Sequence, residues 1–134
     1  MDYHCHPMQI YYEDTDLSGV VYHANYLKYF ERAREHLLGV DELVRLYYDD
    51  GIGFVVYKAE LTFKNGARLG DSLEIRTIAN AQSEYRAVFN QSVWRPGGDQ
   101  ALVEGTVQLV CVDKENRLVP LPKSVLSRLK AGEA

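Results

Sequence analysis

Several features are scarce or missing in this sequence of 134 residues. Only two cysteines occur, Cys5 and Cys111, too far apart for the paired spacing of a zinc finger, so we expect two free thiols. No apolar run approaches the roughly 20 residues that span a bilayer, and the N-terminal residues lack the basic and apolar regions of a signal peptide. We therefore expect a cytoplasmic protein without stable membrane insertion.

Excess positive charge and low-complexity sequence are missing as well. The formal net charge of −4 argues against a nucleic-acid partner. Apolar residues make up 46% and charged residues 25% of the chain, as in soluble globular proteins. No linker or repeat interrupts the sequence, so residues 1–134 are expected to form a single domain with one core.

Residues 11–26 combine carboxylates, a glycine turn, a histidine and the start of a helix. Tyr11 and Tyr12 are expected to end a strand, residues 15–19 to form a turn, and residues 24–38 to form an amphipathic helix. A helix N-terminus has unpaired N–H groups and about half a positive charge, so it can stabilise an anion formed during a reaction. Asp16 and His23 lie close enough in sequence to face that point together.

The rest of the chain predicts mainly strands. We expect a first strand at residues 8–13, a second helix at 41–48, four further strands at 52–63, 72–79, 85–94 and 101–112, and a terminal helix at 123–130. The turn at residues 95–99 makes the last two strands an antiparallel hairpin. This order predicts an α+β fold, in which a five-stranded antiparallel sheet wraps around one long central helix. A single helix leaves part of the sheet uncovered, so we expect a homo-oligomer, a dimer or a tetramer.

The segment around Asp16 and His23, which we call the motif, resembles a known family. The run Tyr-Glu-Asp-Thr-Asp at residues 12–16, followed by residues 19–34, closely resembles hotdog-fold acyl-CoA thioesterases, in particular the Tol-Pal-associated (YbgC-like) branch of the 4-hydroxybenzoyl-CoA thioesterase family. The resemblance implies a single hotdog domain that hydrolyses an acyl-CoA to a free acid and CoA. It also implies that no metal or cofactor is needed. Residues 64–66 depart from the family, whose members often have a proline there.

Three catalytic residues follow from this resemblance. Asp16 matches the family's catalytic aspartate, which acts as a nucleophile or as a general base for water. His23 matches the position whose backbone N–H polarises the thioester carbonyl, and its imidazole can orient the substrate or protonate the leaving thiolate. Tyr12 matches a tyrosine that lines the pocket, where packing is as good an explanation as catalysis. Without the resemblance, Asp16 would be interpreted as a turn cap.

The expected substrate-binding residues either lie in the motif or carry a positive charge. Those in the motif are Gly19, Val21, Tyr22, Asn25 and Tyr26. Lys58 and Arg68 are cations that could meet the phosphates of CoA. Structural roles explain each of these residues equally well when it is considered alone.

Other functions remain open at this point. The thioester could be carried by acyl carrier protein instead of CoA. A hotdog hydratase would use a histidine with an acidic residue on the main helix, where Glu31 and Glu35 occur, although their charged face disfavours this. A non-catalytic acyl-CoA-binding or envelope-associated scaffold protein is the alternative of another class. A metal site built from His4, His6, Asp14 and Asp16 is not favoured, and Ser18 lacks the setting of a nucleophilic serine.

Overall fold

An antiparallel sheet and a long helix dominate the computed structural model, which describes residues 2–129. The strands are β1 (His4–Gln9), β2 (Gly53–Phe63), β3 (Ser72–Ala81), β4 (Arg86–Trp94), β5 (Val103–Val112) and β6 (Leu118–Val119). The helices are α1 (Asn25–Leu38), α2 (Val40–Arg45) and α3 (Lys123–Leu126). A 3-10 turn covers Tyr12–Asp14, and a π-helical turn, Leu46–Asp50, follows α2.

The strand order in the sheet is β1-β3-β4-β5-β2, and every neighbouring pair is antiparallel. The turn between β4 and β5 forms the predicted hairpin. The short β6 pairs with the end of β5 at Cys111 and Val112, beyond the last residue that pairs with β4. The five predicted strands are therefore present, and a sixth strand of two residues is added. Strands β1 and β2 form the two edges of the sheet.

Helix α1 packs against the inner face of this sheet. Tyr26, Phe30 and Ala33 lie on one face of the helix and are buried against strand residues such as Ile75 and Phe89. Burying each large side chain stabilises the fold by about 1.5–3 kcal/mol. The sheet wrapped around one long helix is the predicted α+β hotdog architecture. Its helix begins one residue after the predicted start and ends at the predicted Leu38.

Several predicted element boundaries were wrong, including the start of β1 at His4 instead of residue 8 and the end of β3 at Ala81 instead of residue 79. Strand β1 ends at Gln9 instead of residue 13, because the chain turns at Tyr12–Asp14. The Asp14 carboxylate accepts a hydrogen bond of 2.8 Å from the Tyr11 N–H, which favours the turn over a continued strand. Helix α2 stops at Arg45 and continues as the π-helical turn, and α3 ends at Leu126. Residue 130, the predicted end of the last helix, lies outside the described residues.

Arg34 is buried, although the sequence pattern places it on the charged side of α1. Its Nη1 donates a hydrogen bond of 3.0 Å to Oε1 of Gln91, another buried side chain. The Gln91 amide in turn donates to the Phe30 carbonyl oxygen and to Oγ1 of Thr77. Helical periodicity does not reveal this network, because its polar partners come from β3 and β4.

None of the helices within residues 2–129 is long and apolar enough to cross a membrane. Both cysteines are free thiols, as predicted. Cys111 is buried on β5 and Cys5 is exposed on β1, and burial raises the pKa of the Cys111 thiol to about 12.

Candidate active site

Asp16 lies in a tight turn between the 3-10 turn and α1. The backbone N–H of Asp16 donates to the Val20 carbonyl at 2.9 Å, and the Gly19 N–H donates back to the Asp16 carbonyl at 3.1 Å. Gly19 has φ +80°, a left-handed conformation that a side chain disfavours. The turn at residues 15–19 is therefore as predicted, and Gly19 supplies its left-handed residue.

The two carboxylate oxygens of Asp16 have different surroundings. Oδ1 accepts hydrogen bonds from the Ser18 N–H at 2.9 Å and from the Ser18 hydroxyl at 2.7 Å. Oδ2 has no hydrogen-bond partner among the described residues. The hydrogen bonds from Ser18, first from its hydroxyl and then from its N–H, hold the pKa of Asp16 below its usual value. An ionised carboxylate with one free oxygen can attack a carbonyl or accept a proton from water.

The start of α1 leaves backbone donors free near this turn. The first N–H groups of the helix make short-range bonds, from Asn25 to the Tyr22 carbonyl and from Tyr26 to the His23 carbonyl. Within the described chain, the N–H groups of His23 and Ala24 donate no hydrogen bond, and no side chain caps the helix. Free N–H groups and the positive end of the helix dipole suit an oxyanion.

A cleft of about 280 Å³ opens beside the helix start. Its aromatic wall consists of His23, Tyr26 and Phe63, and Phe63 meets the His23 ring edge-on at 6.1 Å between centroids. Val21 and residues 64–66 complete the lining. Phe63 is the last residue of β2 and remains 49% exposed, so its ring is open to a ligand.

The loop after β2 forms the second wall and is fixed from several sides. The Ala67 N–H donates to the Tyr26 hydroxyl at 3.1 Å, and the Val21 N–H donates to the Ala67 carbonyl at 2.9 Å. Arg95 donates to the Gly66 carbonyl and pairs with the Asp71 carboxylate at 3.0 Å. These hydrogen bonds join the second wall to the first through Val21 and Tyr26.

Comparison with known proteins identifies the family. A family model described as the Thioesterase-like superfamily matches residues 11–129. This chain belongs to that superfamily.

Named relatives and a solved structure agree with this assignment. The acyl-CoA thioester hydrolase YbgC of Escherichia coli O157:H7 is 36% identical over 126 residues, which cover 92% of this chain and 93% of that protein. The acyl-CoA thioesterase YbgC of Haemophilus influenzae is 35% identical over 122 residues, 89% of this chain and 88% of the relative. A probable thioesterase from Bartonella henselae superposes with a TM-score of 0.82 at 31% identity, and the match covers 90% and 99% of the two chains. The predicted hotdog fold and thioester hydrolase class are confirmed.

Most of the predicted site residues of this superfamily member lie around the helix start. Val21, His23 and Tyr26 line the cleft. Asp16 and Gly19 form the adjoining turn, and the remaining motif residues, Tyr22 and Asn25, attach it to α1 through Asp14. Arg68 is connected to that turn by a backbone bridge to Val20, and its side chain is exposed.

Two predicted residues lie apart from the cleft. Tyr12 is 81% exposed in the 3-10 turn, and its hydroxyl has no hydrogen-bond partner among the described residues. The expected place of Tyr12 at the end of a strand was wrong, because the chain has already left the sheet at Gln9. Lys58 lies on the edge strand β2, where its ammonium group is 3.8 Å from the carboxylate of Glu60.

Phe63 was missed by the sequence analysis. It ends a strand that is predicted correctly, but only the fold brings the end of β2 against the start of α1. A larger hollow, of about 570 Å³, lies on the outer face of the sheet around Arg76 and Trp94. It contains none of the predicted site residues, so size alone does not locate the site.

Proposed function

We propose that this protein hydrolyses acyl-CoA thioesters to a free acid and CoA, with Asp16 and the start of α1 as the catalytic groups. Two observations carry this proposal: Oδ2 of Asp16 accepts no hydrogen bond within residues 2–129, and the N–H groups of His23 and Ala24 donate none there. His23 lines the aromatic cleft, the Asp16 turn leads into it through Val21, and the named relatives of the chain are acyl-CoA thioesterases.

In the general-base route, Oδ2 of Asp16 takes a proton from water as the water oxygen attacks the thioester carbonyl carbon. Negative charge collects on the carbonyl oxygen, where the His23 N–H and the helix dipole stabilise it. The carbon–sulfur bond then breaks, and the CoA thiolate takes the proton held by Asp16, which gives the free thiol and restores the carboxylate.

In the covalent route, Oδ2 of Asp16 attacks the carbonyl carbon and expels the thiolate, which forms a mixed anhydride. Water then hydrolyses the anhydride and restores the carboxylate. Hydroxylamine separates the two routes, because it converts an anhydride at Asp16 into a hydroxamate that mass spectrometry detects. The general-base route leaves Asp16 unmodified.

A second copy of the chain completes the site in this proposal. Strand β2 is an edge strand of 11 residues, about 35 Å long, with Val55, Val56 and Tyr57 exposed along it. A long apolar edge calls for a partner strand, and pairing with the same edge of a second copy gives a closed dimer. Since β2 ends at Phe63 in the cleft, the partner would cover the cleft from the open side.

The carrier of the acyl group follows from charge. A carrier protein or the CoA nucleotide would bring negative charge to the rim, where the exposed Arg68 makes no ion pair with any described residue, whereas Lys58 lies farther along β2 beside Glu60. The ammonium group of Lys64 is paired with the Glu104 carboxylate at 3.0 Å, so it is not available to a second anion. With this cation occupied, the rim suits the compact CoA nucleotide better than the larger acidic surface of a carrier protein. The free thiols fit the reducing cytoplasm as its location.

The hydratase alternative is less well supported. Its acid would come from Glu31 or Glu35, and the Glu31 side chain is 65% exposed on the outside of α1. Between them, Arg34 occupies the buried position.

Thiol release from a panel of short-chain, long-chain and aromatic acyl-CoAs tests the reaction, with acyl carrier protein thioesters and an enoyl-CoA as further arms. The proposal predicts turnover of at least one acyl-CoA and no hydration of the enoyl-CoA. Binding of acyl-CoA without turnover would contradict hydrolysis and favour a scaffold role. Turnover of carrier-protein thioesters alone would contradict the choice of CoA.

A further inference from the structure

Two tyrosines on α1, Tyr26 and Tyr29, are both buried but differ in their hydroxyl groups. The Tyr26 hydroxyl accepts the Ala67 N–H and so holds the second wall of the cleft. The Tyr29 side chain is only 1% exposed, and its hydroxyl has no hydrogen-bond partner within residues 2–129. A buried hydroxyl without a partner is costly, so its presence calls for an explanation.

Asp14 lies on the same side of α1 as this hydroxyl, because its carboxylate accepts from the Asn25 amide, one helical turn before Tyr29. Burial and the neighbouring Asp14 carboxylate raise the pKa of Tyr29, so the phenol keeps its proton and can act as a donor. The same carboxylate already accepts the Tyr11 N–H at 2.8 Å and, through its other oxygen, a long bond of 3.4 Å from the Asn25 amide. The oxygen near Asn25 is thus only weakly satisfied and has room to accept a further donor.

Asp14 also connects the two proposed catalytic groups. It precedes Asp16 by two residues, and its carbonyl oxygen accepts the N–H of Tyr22 at 2.9 Å, immediately before His23. A shift of Asp14 therefore moves the Asp16 carboxylate relative to the donors at the helix start. Displacements of about 1 Å in such sites can cost as much as a hundredfold in rate.

We propose that Tyr29 is a positioning residue, whose buried hydroxyl donates to Asp14 when substrate is bound and so sets the Asp16 turn against the start of α1. This inference rests on the proposed hydrolysis at Asp16. It gives Tyr26 and Tyr29 separate positioning roles: Tyr26 fixes the loop after β2, and Tyr29 fixes the turn before α1.

The test is Tyr29→Phe in the full-length protein, which removes only the hydroxyl. We expect kcat to fall about tenfold with little change in KM, because orientation is lost and the cleft remains. The thermal midpoint should stay the same or rise, since the lost hydroxyl has no hydrogen-bond partner within residues 2–129. Tyr85→Phe, at an exposed position before β4, is the matched control and should keep the wild-type kcat.

A double-mutant cycle with Asp14→Asn tests whether Tyr29 acts through Asp14. Because both changes remove the same interaction, the combined variant should lose no more kcat than the more impaired single variant. Losses that simply multiply would overturn the proposal. It would also be overturned by a wild-type kcat in Tyr29→Phe, or by a fall in kcat that only follows a fall in folded fraction.

Failure of the proposed function is recognisable separately, because the wild-type protein would then release no thiol. In that case, hydrogen exchange of the Tyr22 amide, with an acyl-CoA bound, tests the positioning role by itself. Faster exchange in Tyr29→Phe than in Tyr85→Phe supports the role. Equal exchange in the two variants overturns it.

Discussion

At the scale of single residues, Ser18 gives the two carboxylate oxygens of Asp16 different surroundings. The hydroxyl and N–H of Ser18 both donate to Oδ1, which lowers the pKa of the carboxyl group and leaves Oδ2 for chemistry. Ser18 thus lowers the pKa of Asp16 and fixes the orientation of its carboxylate at the same time. The sequence marks Ser18 only as part of a turn.

Ser18→Ala should raise the pKa of Asp16, because the larger of the two favourable hydrogen bonds is lost. Activity requires the ionised carboxylate, so the acid limb of the kcat/KM profile should move to higher pH, with little change near neutrality. Profiles measured from about pH 7 down to about pH 4 check this. Ser18→Thr retains the hydroxyl and should restore the wild-type limb. An unmoved limb in Ser18→Ala would contradict control of Asp16 by Ser18.

Gly19 and Gly97 provide a matched test of the turn. They have φ of +80° and +79°, and an added Cβ would meet no atom within 4 Å at either position. Alanine at each should therefore cost a similar amount of stability, about 1 kcal/mol, through backbone strain alone. Only Gly19→Ala should also lower kcat, since its strain falls on the turn that carries Asp16. Equal kcat values in the two variants would argue against that link.

At this scale, the features that are determined by neighbouring residues in the chain could be predicted from the sequence. Gly19 and the turn around Asp16 follow from adjacent sequence. Phe63 could not be predicted, because its contact with His23 joins elements 40 positions apart in the chain. The strand end predicted at Tyr12 was wrong, because the aromatic pair at residues 11–12 resembles the end of a strand.

At the scale of elements, the buried pair of Arg34 and Gln91 connects α1 to the centre of the sheet. Gln91→Leu should cost about 3 kcal/mol or more, because the buried guanidinium group then keeps only the exposed Glu31 carboxylate, at 3.9 Å. Arg34→Met should cost less, about 1–3 kcal/mol, because it leaves only a neutral amide oxygen unpaired. The double variant should recover much of the loss. Urea unfolding measures all three, and strictly additive losses would contradict this coupling.

The elements themselves were predictable from periodicity, and their ends were less so. The alternation of Val103, Val107 and Leu109 correctly gives the buried face of β5. The end of β1 depends on the Asp14 side chain, and the burial of Arg34 depends on distant partners. Both effects arise from side-chain hydrogen bonds, which hydrophobic patterns do not record.

At the scale of the whole molecule, the proposed dimer pairs the exposed edge of β2 with the same edge of a second copy. Val55→Lys puts a charge on this edge and should convert a dimer to monomers, with a fall in kcat/KM of about tenfold or more as the cleft loses its cover. Leu118→Lys, on the short β6, is the control at another exposed strand position and should leave mass and activity unchanged. Light scattering and thiol release check both variants. A Val55→Lys protein that keeps its mass would contradict pairing through this edge.

The family and the fold were recognisable from residues 12–34 alone, because that segment supplies both the helix and the turn that faces it. A single domain over residues 1–134 stays a prediction, as does the number of subunits. Assembly depends on a surface whose partner is a second chain, and one sequence does not give the geometry of two.

The most direct measurement is kcat for thiol release by Asp16→Asn, on the acyl-CoA that the wild-type protein turns over best. Asn keeps the shape of Asp16 and removes its charge, so kcat should fall about a hundredfold to ten-thousandfold while the fold and substrate binding are retained. Asp99→Asn, in the turn between β4 and β5, should match the wild-type protein. An Asp16→Asn protein with the wild-type kcat would contradict catalysis by this carboxylate.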